Sequence, residues 1–146
     1  MTKPSYNIQL KKGLNELMFG AATEEAKKIF GEASEIEVLE KDTEDEPDTE
    51  LWYYDEDSFS LFFETDTDLV LTSIEINNSA TQLFGKKIFE MDEDGIIELM
   101  KENGFSEMYT EDEEWGEKLI SFEDALIDFY FEEGKLVTVN WSNDLD

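Results

Sequence analysis

The chain has 146 residues, the length of one ordinary domain, and carries 39 Asp plus Glu against 11 basic residues, all of them lysine, for a net charge of −28. It contains no Arg, His or Cys. That removes the usual side chains of nucleophilic catalysis and of planar phosphate recognition, and so strong a negative field repels nucleic acid and anionic membranes. An apolar share of 40% with 13% aromatics is nonetheless too high for a disordered acidic chain, so a packed core is expected.

The first residues, Met-Thr-Lys-Pro-Ser-Tyr-Asn, show no apolar leader, and no later run reaches membrane-spanning length. With no Cys, the expectation is a cytoplasmic protein, in which the sequons at Asn77 and Asn140 are chance matches. No cofactor, metal or catalytic group is expected.

In chain order, Tyr6, Ile8 and Leu10 alternate as in a short strand. A helix follows over Thr23-Glu-Glu-Ala-Lys-Lys-Ile-Phe30, with Thr23 expected as N-cap, Glu24 and Glu25 favoured by the helix dipole, and Gly31 closing the end. From Glu32 to Asp57 there are 13 acids and one lysine, with Ile36 and Val38 spaced as in a strand and Glu40 to Glu50 as an exposed loop. Trp52 and Tyr54, then Phe59, Leu61 and Phe63, then Val70, Ile74 and Ile76 mark three strands of a meander.

After a polar connection at Asn77–Thr81 the programme restarts. Asp92 caps a helix bearing Ile96, Leu99 and Met100, and Gly104 ends it. Setting Ser60 against Asp128 matches Leu61 and Phe63 to Phe129 and Phe131, and Trp52 and Tyr54 to Ile120 and Phe122. Setting Leu71 against Leu136 matches Ile74 and Ile76 to Val139 and Trp141. The expected fold is therefore α+β: a single domain, 1–146, of two tandem helix-plus-antiparallel-meander repeats, approximately 8–76 and 83–142. These would form one sheet with the helices packed on one face.

The run Phe19-Gly-x-x-Thr-Glu-Glu-Ala-x-x-Ile-Phe-Gly31, followed by a Trp/Tyr strand and an aromatic meander, resembles the β-lactamase-inhibitor-like domains. That group includes tandem-repeat inhibitory proteins and small outer-membrane-assembly lipoproteins. The matching positions are Gly20, Thr23, Glu24, Glu25 and Gly31; Ala33 departs from a frequent proline, and the lipoprotein signal is missing. The resemblance implies a sheet whose open face binds another protein.

Strand parity points the same way. With Trp52, Tyr54, Phe59, Leu61, Phe63, Ile120, Phe122, Phe129, Phe131, Val139 and Trp141 turned inward, the outer face shows Tyr53, Phe62 and Tyr130. Around them lie Ser60, Ser73, Glu75, Ser121, Asp128, Thr138 and Asn140. Aromatics on an otherwise polar sheet resemble interface composition, although single exposed aromatics are also ordinary on strands. The expected partner-binding residues are Tyr53, Phe62, Tyr130, Asp128 and Asn140, with the acids Glu44, Asp45, Glu46, Asp48, Glu50, Glu111, Asp112, Glu113 and Glu114. Such acidic runs either steer a basic protein onto the surface or serve only as solvated loops.

Glu90-x-Asp92-x-Asp94-Gly95 imitates the start of a calcium-binding loop, but Lys101 occupies the place of the closing bidentate Glu, and capping by Asp92 explains the acid there. Asp66 and Asp68 read as a hairpin turn. With so many acids, carboxylate pairs at glycosidase spacing arise by chance. The functional expectation is a small acidic module that binds a basic protein, as an inhibitor or immunity protein acting on a target such as a nuclease. The alternative is a divalent-cation-binding protein or a carboxylate-based enzyme.

Overall fold

The computed structural model describes residues 6–39, 49–55, 58–65, 69–113 and 116–142. The protein is α+β and consists mostly of strands. The strands are β1 (Tyr6–Gln9), β2 (Gly13–Leu14), β3 (Leu17–Met18), β4 (Glu35–Leu39), β5 (Thr49–Tyr54), β6 (Phe59–Thr65), β7 (Leu69–Ile76), β8 (Thr81–Leu83), β9 (Lys86–Lys87), β10 (Tyr109–Asp112), β11 (Lys118–Phe122), β12 (Ile127–Glu132) and β13 (Lys135–Ser142). The helices α1 (Thr23–Phe30) and α2 (Glu93–Glu102) each precede four strands of one sheet, β4–β7 and β10–β13, with β8 and β9 lying between the two sets.

Among the described residues the main sheet has eight antiparallel strands, in the order β10-β11-β12-β13-β7-β6-β5-β4. Its order mirrors about the β13–β7 pair, where Val139 faces Ile76 and Trp141 faces Ile74. Registers on the two sides agree: Phe59 pairs Ile76 as Ile127 pairs Trp141, and Leu61 pairs Ile74 as Phe129 pairs Val139. Each hairpin also shifts register at an equivalent point, between Phe62 and Phe63 and between Tyr130 and Phe131. These shifts bend the sheet locally and increase its twist.

Each of the eleven side chains from Trp52 to Trp141 expected to face inward is buried, with none above the 5% of Tyr54. Alternation of period two is what places them together, and fully burying so many large side chains is the dominant favourable term in this fold. On this face Phe30 of α1 meets Phe59 edge-on at 4.9 Å, and Tyr54 stacks on Phe59 at 4.7 Å. The Tyr54 hydroxyl donates to the Gly31 carbonyl at 2.9 Å, fixing the end of α1 against the sheet. Gly31 has φ of 83°, a left-handed conformation that glycine adopts without strain. Ile96, Leu99 and Met100 of α2 are buried in the same cluster.

Two expectations need correction: the cap of α1, and the single sheet, since the described strands form two. Thr23 is the first residue of α1 rather than its cap; Ala22 occupies the cap position with no side-chain hydrogen bond. Asp92, by contrast, accepts from the Gly95 amide at 2.9 Å as a capping residue does. Ile36 and Val38 do lie in a strand, but on the sheet edge and 48% and 67% exposed. The inner layer is also shared: a five-stranded sheet in the order β3-β2-β1-β8-β9 contributes Tyr6, Ile8, Leu14, Leu17 and Leu83 to the core. Its β1 and β8 are parallel, and the Trp141 indole donates to the Gly13 carbonyl at 2.9 Å, joining the two sheets. A Cβ at Gly13 would collide with the Leu17 backbone carbonyl, so β2 and β3 approach closely only because that residue is glycine.

Candidate protein-binding face

The other face of the main sheet is mainly polar, interrupted by Leu51, Phe62 and Leu119. One row crosses all eight strands through successive cross-strand partners: Glu35, Tyr53, Ser60, Glu75, Asn140, Asp128, Ser121 and Tyr109. On the β4 side, Glu37, Leu51, Phe62 and Ser73 form a second row. On the β10 side, Thr138, Tyr130, Leu119 and Glu111 form its counterpart.

Several polar groups here have partners among the described residues. The Tyr53 hydroxyl donates to Glu37 Oε2 at 2.9 Å, and Ser121 Oγ donates to Asp128 Oδ1 at 2.6 Å. Ser73 Oγ has two acceptors for its one proton, Asn140 Oδ1 at 3.3 Å and the Trp141 carbonyl at 3.2 Å. Glu75, on the central strand β7, is a carboxylate that is half-buried and has no hydrogen bond or ion pair with any described residue. Burial raises its pKa above the ordinary carboxylate value, and the Glu117 charge raises it further. Beside it is a shallow depression of about 270 Å³ lined by Ser60, Glu75, Asn77 and Thr138, among others.

The field over this face is negative on both sides of Glu75. The Tyr53 phenol is pushed up by its hydrogen bond to Glu37, then by slight desolvation and by the Glu37, Glu35 and Glu75 charges. Burial raises Tyr130, with Asp128, Glu113 and Glu75 adding to it. Tyrosines that cannot readily ionise and a carboxylate short of solvent together form a surface suited to cations.

Of the expected site residues, Tyr53, Phe62, Tyr130, Asp128 and Asn140 do share this face, together with Glu111. Glu50 does not: it pairs with inward-facing Phe63, and its Oε1 accepts from the Trp52 indole at 3.0 Å. Asp112 likewise alternates away from Glu111 and pairs with Lys118, on the side of Phe131. Glu44, Asp45, Glu46, Asp48 and Glu114 lie outside the described residues, as do Asp66 and Asp68. Glu75 was not among the expected binding residues, because its importance depends on β7 being central, and strand order is not written in the alternation Ser73-Ile74-Glu75-Ile76. No family model, curated protein or solved structure matches this chain.

Proposed function

We propose that this chain is a protein-binding module whose outer sheet face docks on a basic protein, with a Lys or Arg side chain of that partner seated against Glu75. The observation carrying this reading is the half-buried carboxylate, with no partner among the described residues, at the middle of an acid-and-tyrosine surface. A carboxylate in that position destabilises the free protein, and a cation brought by a partner removes the cost. The net charge of −28 adds long-range steering of a positive target. An inhibitor or immunity role against a nuclease fits this chemistry, the acids standing where nucleic-acid phosphates would lie. The matched registers and shifts of the two hairpins support an origin in two tandem repeats, with α1 and α2 on one face, as in the β-lactamase-inhibitor-like domains. Composition supports a cytoplasmic setting.

Calorimetric titration against a panel of basic nucleases and size-matched basic controls at physiological salt tests the reading. The expected result is selective binding by a member of the panel, weakened about tenfold or more by Glu75→Gln. Weak, indiscriminate binding that salt removes and Glu75→Gln leaves unchanged would contradict it.

A further inference from the structure

The sheet's two edges are built differently. At the positions that continue the inner face outward, β10 carries Thr110 and Asp112, both exposed and polar, as is usual for a protected edge. At the corresponding positions β4 carries Ile36 and Val38, which pair with Trp52 and Glu50 and are 48% and 67% exposed. On the other side of β4, Glu35 and Glu37 point toward the outer face, Glu37 held by the Tyr53 hydroxyl. The ladder to β5 uses the backbone groups of one side of β4, and the other side faces away from the sheet.

We infer that β4 is a strand-addition site for an extended segment of another protein in which apolar and basic residues alternate. The backbone of such a segment extends the ladder. Its apolar side chains cover Ile36 and Val38, and its lysines or arginines lie opposite Glu35 and Glu37. Charge selects this occupant over a second copy of the chain, because pairing β4 with itself sets glutamates beside glutamates between molecules of net charge −28. The site is separate from Glu75 and needs no contact with it.

The probe is a ten-residue peptide of alternating Val and Lys, titrated into the isotopically labelled full chain at physiological salt. Cross-strand contacts to the β4 amides are expected. N-methylation of the peptide residues on the side facing β4 should weaken binding at least tenfold, whereas N-methylation on the opposite side should leave it within about twofold. Val38→Lys, at an exposed position that leaves the core intact, should also weaken binding at least tenfold, and Glu75→Gln should change it less than twofold. Equal binding of a block peptide of the same composition, insensitivity to either N-methyl set, or contacts mapping to β10 would overturn the inference. So would a concentration-dependent dimer of the free chain dispersed by Val38→Lys, which would give the edge to a second copy.

Discussion

The two faces of the eight-stranded sheet are made from the same strands and meet opposite fates. The inner face is dense with aromatics, at 0% exposure for Phe63, Phe122 and Phe129, and shares one buried cluster with residues of the second sheet. The outer face pairs several of its polar groups yet leaves Glu75 half-buried with no partner among the described residues. Stability is concentrated on one side, and the other is free to keep an arrangement that is unfavourable in isolation.

Substitutions on each face can break this contrast. Trp141→Ala removes a buried indole and its bond to Gly13, and should cost about 3–5 kcal/mol in chemical denaturation. Ser60→Ala and Thr138→Ala, on the outer face, should stay within about 0.5 kcal/mol. Tyr54→Phe loses the hydrogen bond to Gly31 and should cost about 1 kcal/mol.

The Tyr54 phenol also sharpens the contrast at alkaline pH. Burial pushes its pKa up from 10.0 to about 12, so between those values the unfolded chain gives up its proton while the folded one retains it. The stability Tyr54 contributes is thus complete below pH 10.0 and lost as pH rises toward about 12, and Tyr54→Phe should flatten that part of the stability profile.

Thr81 marks a small flaw on the inner side, since its buried hydroxyl has no hydrogen-bond partner among the described residues. Thr81→Val should therefore stabilise by about 1 kcal/mol in the same denaturation measurement. Screening of the whole charge is expected to act more weakly: raising sodium chloride from low concentration to about half-molar should lift the melting temperature by about 2–4 °C. A flat or falling curve would mean that self-repulsion is already offset.

Sequence alternation revealed most of the inner face because inward residues recur every second position, and the same rule put Tyr53, Phe62 and Tyr130 outside; it broke at the register shifts, where Leu71 turns inward instead of Val70. That alternation also held information against Glu50, which shares parity with Trp52 and Tyr54; reading the acidic run as one block obscured it. The five-stranded sheet was not legible, because β2, β3 and β9 are two residues each and β1 finds a parallel partner far along the chain at β8. Thr23 failed as a cap because the helix begins one residue earlier than capping chemistry alone suggests, with Ala22 holding the extended conformation.

The decisive quantity is the titration of Glu75 itself, followed by carboxyl-carbon NMR in the free protein and in complex with the basic protein that binds. In the free protein its pKa should lie above the ordinary value of 4.5, so that stability is lost as pH rises through that titration and Glu75→Gln restores it. In the complex a paired cation should bring the value below 4.5. A Glu75 that titrates normally when free, or identically in both states, would contradict the account.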